Sequence, residues 1–355
     1  VIRTVLGLIG NEVLLADFLS GLSTIVLVIV IAACVVLLSK GADWMIEGVV
    51  HLAERTGLPR ILIGATVISL GTTAPEAFVS VMAAFMGNPG LALGNGVGSI
   101  IADTGLIFGL TCLVARVPVR RDILNRTGWV QVGAATLLAA IAMAKLMAAP
   151  PAPVLGRGVG ILFLCLLAGY LFVSYRWAVS GVSDAGADGA GASDGSPANG
   201  SAGNEMSLPA CWAWIVTGLF MVVAAARILV PAASEIAMRL GVPDDVIAAT
   251  MVAFGTSLPE LVTAVTAIRK GYPEITVGNI VGADVLNCLF VVGAAATARP
   301  LTIEPNFYRL HFPVMLIVLW SLRGFISFNR SQHFKRWQGA WLTGVYVVYI
   351  ALQYI

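Results

Sequence analysis

Long apolar runs broken by short polar clusters recur along the whole chain. Stretches such as 22–38, 158–175 and 339–355 reach the roughly 17–25 residues that a bilayer-spanning helix needs. The pattern predicts five spans near 22–50, 60–86, 92–114, 127–148 and 158–178. Five more follow near 209–238, 244–268, 275–297, 308–329 and 338–355. The expected fold class is an all-α membrane protein of about ten transmembrane helices, with the lipid bilayer as its solvent.

Between the two sets of spans, residues 181–207 read GVSDAGADGAGASDGSPANGSAGNEMS. Such a segment buries too little apolar area to offset its ordering entropy, which predicts a flexible, solvated linker. It separates a first unit, 1–180, from a second, 208–355. The two align without gaps at a constant offset of 184 residues. Identical pairs include Gly57/Gly241, Pro59/Pro243, Thr66/Thr250, Gly71/Gly255, Thr72/Thr256, Pro75/Pro259, Glu76/Glu260, Pro89/Pro273, Gly94/Gly278, Asn95/Asn279 and Gly98/Gly282. Chance alignment of apolar segments does not preserve those polar residues, so the halves are repeats of one unit. The matched blocks cover about 57–109 and 241–293. An odd number of spans before the linker makes the second half enter the membrane from the opposite side, and inverted repeats are a transporter signature.

Composition agrees: 58% hydrophobic and 11% charged residues lie far from the roughly half apolar, quarter charged mix of soluble domains. The positions of the charges matter more than the net +2, which gives no reason to expect a nucleic-acid partner. Loops on the linker side hold Arg55, Arg60, Arg116, Arg120, Arg121, Arg126, Arg176, Arg269, Lys270, Arg323, Arg330, Lys335 and Arg336. The other side holds Arg3, Lys145, Arg157, Arg239, Arg299 and Arg309. By the positive-inside rule the linker is cytoplasmic and both termini are outside. Cys34, Cys112, Cys165, Cys211 and Cys288 show no C-x-x-C spacing and read as small core residues. The first twenty residues lack a clear signal-peptide cleavage pattern.

The densest shared block is Gly71-Thr72-Thr73-Ala74-Pro75-Glu76 against Gly255-Thr256-Ser257-Leu258-Pro259-Glu260. Proline removes a backbone donor and glycine loosens the same turn, so each helix is expected to kink or break there and turn freed carbonyls into the bundle. An ionised glutamate near the bilayer centre costs at least about 2–3 kcal/mol, so two at equivalent positions require compensation. Lys40 and Arg227, in the first span of each half, fall outside the matched blocks. Metal cations are the simplest compensation: Ca²⁺ takes about 6–8 oxygens, which two glutamates, Thr72, Thr256 and carbonyls could supply. Na⁺ accepts the same oxygens with less charge. A protonated glutamic acid hydrogen-bonded between helices is the alternative, disfavoured by the duplication. Asp103 follows Glu76 by 27 residues, as Asn287 follows Glu260, giving a third carboxylate opposite an amide, with a structural or proton-carrying role open for Asp103. Asp43, Glu47, Glu235 and Asp284 have no acidic repeat mates and are expected to pair locally. His51, His311 and His333 show no metal-site spacing.

GTTAPE with GNGVGSIIAD, and GTSLPE with GNIVGADVLN, resemble the paired alpha-repeats of the sodium/calcium exchanger family, in its compact prokaryotic form. The resemblance spans both repeats, the linker position and the five-plus-five topology. It implies Glu76 and Glu260 as central Ca²⁺ ligands. Thr72, Thr256, Thr73, Ser257 and Ser99 would contribute to Ca²⁺ and flanking Na⁺ positions, and Ser69 and Ala253 would contribute backbone carbonyls. It also implies a prokaryotic cell membrane, transported ions rather than a cofactor, and no enzymatic activity. Three residues depart from the pattern. Ala283 stands where a serine is common, Asp103 and Asn287 lie at positions tied to K⁺ dependence, and Ala74 replaces the usual leucine.

The function expected is secondary antiport of Ca²⁺ against Na⁺ by alternating access, with the first span of each half sliding across a fixed site in spans two, three, seven and eight. A Ca²⁺/H⁺ antiporter of the same architecture is the nearest rival. A cation channel is disfavoured by the inverted repeats, and an intramembrane hydrolase by the lack of H-E-x-x-H, G-x-S-x-G or an aspartate dyad.

Overall fold

The computed structural model describes residues 12–119, 121–148, 153–187, 206–241, 257–329 and 331–353, nearly all helical. A short helix that hydropathy did not predict, α1 (Glu12–Ser20), precedes the first span. The first repeat then comprises α2 (Thr24–Thr56), α3 (Arg60–Phe85), α4 (Pro89–Val114), α5 (Arg121–Ala148) and α6 (Arg157–Ala187). The second comprises α7 (Leu208–Arg239), α8 (Leu258–Arg269), α9 (Pro273–Ala298), α10 (Phe307–Phe328) and α11 (Arg336–Leu352). Eight of these are long and apolar enough to cross a membrane among the described residues. The predicted first part of α8's span lies outside the described residues, and α11, with 17 residues, completes the second set of five. α6 continues to Ala187, past the predicted start of the linker at 181, since adding residues to a helix already nucleated upstream costs less than starting one.

Turn chemistry repeats along with the motifs. Gly57 and Gly241, at φ 69° and 81°, end the first span of each half, and Gly87 and Gly271, both at φ 83°, close the turn after the second. Side chains rarely adopt this left-handed region, which explains why glycine stands at both members of each pair.

The inversion of the repeats appears in the packing. α4 meets α11 through Gly109 and Gly339, and α9 meets α6 through Gly293 and Gly160. A Cβ on Gly109 would fall 3.1 Å from the Gly339 carbonyl, and one on Gly160 2.7 Å from that of Gly293. Gly109 and Gly293 are repeat mates, so each half lays its third span on the fifth span of the other. Lipid supplies no hydrophobic force between helices, and such small-residue contacts let dispersion and backbone approach do the work instead. The same exchange relates two short pairings. β1 (Val154–Leu155) runs antiparallel to β2 (Leu301–Thr302), and Pro118, the repeat mate of Thr302, bridges to His333.

Burial separates a core from a periphery. Of the apolar window in α9, 83% is buried, against 28% in both α2 and α7. α2 and α7 pack closely on each other, where a Cβ on Gly41 would lie 2.7 Å from the Gly218 carbonyl. Their outward faces present Ile25, Val28, Val216 and Phe220, as a lipid-facing surface requires. Asp43 and Glu47 on α2 pair with Lys270 after α8, at 3.5 and 2.6 Å, and Glu235 pairs with Arg239 at 2.8 Å.

The helix expected to kink or break at Pro75 does not break there. Ser69–Phe85 is continuous α-helix through Pro75, and α3 departs from regular geometry earlier, in a π segment at Gly64–Ile68. Pro75 therefore leaves the carbonyl one turn earlier, at Gly71, without its helical N–H partner. In the second half Pro259 stands in the first turn of α8, where its missing N–H leaves no helical bond unmade. Further π segments occupy Ala102–Phe108 in α4 and Asn287–Val291 in α9. They contain the repeat mates Asp103 and Asn287.

Candidate functional site

α3, α4, α8 and α9 carry the predicted constellation into one buried region. α3 and α9 approach backbone to backbone: a Cβ on Gly64 would lie 2.7 Å from the Ile275 carbonyl, and one on Gly282 2.6 Å from Ser69 Oγ. This contact sets the motif of one repeat against the second motif of the other. Glu76 and Glu260 are each 1% exposed, and Ser69, Thr72, Thr73 and Asp103 are wholly buried. Ser99, Ser257 and Asn287 are buried as well. Thr256 and Ala253 lie outside the described residues.

The acidic groups act on one another. Glu76 lies within electrostatic reach of Glu260 and Asp103, and Asp103 of Glu260. Thr72 faces the Glu260 carboxylate while its hydroxyl donates to the Ser69 carbonyl at 3.3 Å. Ser257 faces Asp103 without a hydrogen bond of regular geometry. Among the described residues, buried side-chain atoms with no hydrogen-bond partner include Thr73 Oγ1, Glu76 Oε2, Ser99 Oγ, Ser257 Oγ, Glu260 Oε2, Asn287 Oδ1 and both carboxylate oxygens of Asp103. Buried polar atoms are rarely left so, and their convergence on the predicted residues fits oxygens arranged for cations. No three His, Cys, Asp or Glu side chains among the described residues form a ready metal cluster. A cation shell here must draw on hydroxyls, amides and carbonyls as well as carboxylates.

The two halves are not equivalent in detail. Asn95 donates to the Glu76 carbonyl at 3.0 Å and to Ser80 Oγ at 2.9 Å, fixing α4 against α3. Its mate Asn279 is wholly buried with neither amide atom bonded. Ala74 is exposed on the outer face of α3, whereas its mate Leu258 is buried against Cys34, Leu38 and Val222 of α2 and α7. The departure at Ala74 therefore touches packing and leaves the carboxylates alone.

Two charged residues that the repeat register set aside stand beside the site. Arg227 of α7 acts electrostatically on Glu76 and sits 5.9 Å from the Phe78 ring centroid. Metal cations are thus not the sole positive charge near Glu76, a correction to the expectation that only they compensate it. Asp284 is 1% exposed, accepts hydrogen bonds from Thr104 and from Gln131 (2.5 Å), and is in electrostatic contact with Asp103. Neither has a like repeat mate, since at the 184-residue offset Arg227 falls opposite Asp43 and Asp284 opposite Ile100, so symmetry could not flag them. Their signal was simpler, since a charge inside a span is functional by default.

The family model described as sodium/calcium exchanger protein matches residues 26–176 and 210–355, leaving out 1–25 and 177–209. The inner membrane protein YrbG of Escherichia coli is 32% identical over 315 residues, 88% of this chain and 92% of its own length. The sodium/calcium exchanger MaX1 of Methanosarcina acetivorans is 28% identical over 336 residues, covering 89% and 95%. Among solved structures, the sodium-calcium exchanger NCX_Mj superposes with a TM-score of 0.74 at 27% identity, covering 93% of this chain and 99% of that one. The alignment extends through both repeats, and the matched family is one of ion exchangers, which are transporters and not enzymes. An all-helical membrane fold of two inverted five-helix repeats, a doubled acidic motif buried at its centre and a family match across both halves lead to one conclusion: the chain belongs to the sodium/calcium exchanger family of integral membrane cation antiporters.

Proposed function

We propose that this protein exchanges Ca²⁺ for Na⁺ by alternating access at a single cage between α3, α4, α8 and α9. The observation that carries this reading is the pair Glu76 and Glu260, repeat mates that are both buried within electrostatic reach of each other. Glu76 and Glu260 are the central Ca²⁺ ligands. Thr72 and Thr256, with carbonyls of Ser69 and Ala253, complete that shell. Thr73, Ser257, Ser99, Asp103 and Asn287 serve the flanking Na⁺ positions, with Ala283 offering no hydroxyl where Ser99 has one.

Coupling follows from charge. Closing an apolar gate over uncompensated carboxylates costs several kcal/mol, so the empty cage resists crossing while either a Ca²⁺-loaded or a Na⁺-loaded cage crosses. The peripheral pair α2 and α7, in mutual contact and mostly lipid-facing, is the part free to move over the fixed core. The linker faces the cytoplasm and both termini face outward in a prokaryotic cell membrane, as the arginine asymmetry requires. A cysteine placed in the linker should react only with reagents admitted to the cytoplasmic side.

The deciding experiment is radiolabelled Ca²⁺ uptake into proteoliposomes. Uptake should follow an outward Na⁺ gradient at constant pH. Uptake that ignores Na⁺ and follows a pH gradient would make the protein a Ca²⁺/H⁺ antiporter instead, and single-channel currents would make it a channel.

A further inference from the structure

Two basic stretches of chain meet on the linker side of the membrane. Residues 115–121, before α5, and 329–336, before α11, contain Arg116, Arg120, Arg121, Arg330, Lys335 and Arg336 and no acid. Asp122 follows the first stretch, and 305–355 has no acidic residue at all. Backbone bonds stitch the two together. Val119 N–H donates to the Gln332 carbonyl at 2.7 Å, Phe334 N–H to the Val117 carbonyl at 2.9 Å, and Pro118 bridges to His333 between them. Phe334 is buried edge-on against Phe108, with ring centroids 5.0 Å apart, and fixes the chain next to Lys335. Among the described residues no acidic side chain pairs with Arg116, Lys335 or Arg336. Like charges held close by main-chain bonds repel, and an anion from outside the chain offsets that repulsion.

Beside them a cavity of about 500 Å³ opens between α10 and α11, lined by Gly324, Phe325, Phe328, Lys335, Trp337 and Gln338. Its lining is amphipathic. Phe328 and Trp337 are 86% and 58% exposed, aromatic surface at the end of a span, where tryptophan marks the membrane interface. Phe325 stands edge-on to Trp337 at 5.1 Å. A Cβ on Gly324 would meet nothing within 4 Å, so the groove is open there. The exposed Lys335 brings an ammonium to the same lining, and Arg336 follows it. Arg323 is engaged elsewhere: its guanidinium lies 4.3 Å from the Trp129 ring centroid and donates to Asn125.

We infer that this groove binds an acidic phospholipid, with the headgroup phosphate held by Lys335 and Arg336 and an acyl chain along Phe325, Phe328 and Trp337. Aromatic walls that end at a basic rim match a molecule that is anionic at one end and hydrocarbon at the other, and basic pockets between spans take such headgroups. The linker carries the anions Asp184, Asp188 and Asp194 on that side, but between 181 and 207 it has no aromatic residue and no leucine with which to fill the groove. The site lies on α10 and α11, outside the four helices of the cage, and stands whichever ions are exchanged.

The test uses the intact purified chain in detergent with phosphatidylglycerol or phosphatidylcholine carrying brominated acyl chains, which quench tryptophan on contact. The part of the quenching that disappears in Trp337→Phe reports the groove. Phosphatidylglycerol should bind there about tenfold or more tightly than phosphatidylcholine, and Lys335→Gln combined with Arg336→Gln should erase the preference. Equal quenching by the two lipids, or a preference that survives the double substitution, overturns the proposal and leaves the basic stretches as signals of topology alone. No quenching of Trp337 by either lipid overturns it too, since the linker or a second copy then covers the groove. Inorganic phosphate that displaces brominated phosphatidylglycerol as well as the unbrominated lipid does would make this a free phosphate site and equally defeat the lipid assignment. Should the double variant fail to yield monodisperse protein, Gly324→Leu fills the groove without touching a charge. Phosphatidylglycerol binding weakened about fivefold or more in that variant supports the site, and unaltered binding overturns it.

Discussion

The side-chain amide of Asn95 donates to the main-chain carbonyl of Glu76 at 3.0 Å and to Ser80 Oγ at 2.9 Å. The bonds tie the helix opened by one repeated block to the glutamate of the other, so the position of Glu76 depends on α4 as well as on its own helix. Asn279 occupies the equivalent place in the second repeat and makes neither bond. The sequence pairs these two asparagines; their work differs.

Asn95→Ala should accordingly cost about 1–2 kcal/mol, the usual worth of two partly buried hydrogen bonds. Asn279→Ala removes no bond and should cost less. Thermal unfolding of both variants in one detergent compares them directly, and a larger loss for Asn279 would contradict the asymmetry described above.

Glu76→Gln and Glu260→Gln each remove one charge from the cage while preserving size. Loss of a charge-assisted contact of about 3 kcal/mol corresponds to roughly a hundredfold weaker Ca²⁺ binding. Ca²⁺ uptake into Na⁺-loaded proteoliposomes should fall to background in both variants, and undiminished uptake in both would remove the site assignment.

Arg227 repels any cation that binds Glu76. Arg227→Gln should therefore tighten Ca²⁺ binding by about three- to tenfold, on the order of 1 kcal/mol for a charge acting through a partly solvated path. Titration calorimetry on the purified chain reads the shift, and weaker binding would show that Arg227 supports the cage instead of opposing it.

Gly41 and Gly218 let α2 and α7 touch. In Gly41→Ala the new methyl would meet the Gly218 carbonyl at 2.7 Å and Met221 Cβ at 2.8 Å, an overpacking cost of about 1–3 kcal/mol. Because neither residue reaches the cage, Ca²⁺ binding in detergent should persist while exchange in liposomes slows. Loss of binding together with transport would place the defect in folding.

Lys270 ties the turn after α8 to α2 through Glu47 at 2.6 Å and Asp43 at 3.5 Å. The groups are part-exposed, so Lys270→Ala should alter stability by less than about 1 kcal/mol. Releasing α2 at that end should still ease opening there and raise the rate of Ca²⁺ exchange several-fold. Identical rates would show that the tie does not restrain the helix.

What the sequence determined by itself was whatever depends on period, length and repetition. Apolar runs of membrane length, a constant offset of 184 residues and a glutamate in the same register of both repeats were enough for ten spans, inversion and an acidic centre. Hydropathy placed most span ends to within a few residues, as with α3 at Arg60–Phe85. Only the tertiary structure decided where helix geometry yields and which buried groups meet. Pro75 stays inside a continuous helix, and the departure from α geometry falls upstream at Gly64–Ile68. Asn95 and Asn279 part company, and Arg227 and Asp284 join the site from positions that carry no matching residue in the other half. The physical reason is that symmetry of sequence fixes the backbone to first order. The partners of each polar atom at membrane depth are chosen by helices distant in the chain, and those differ between the halves.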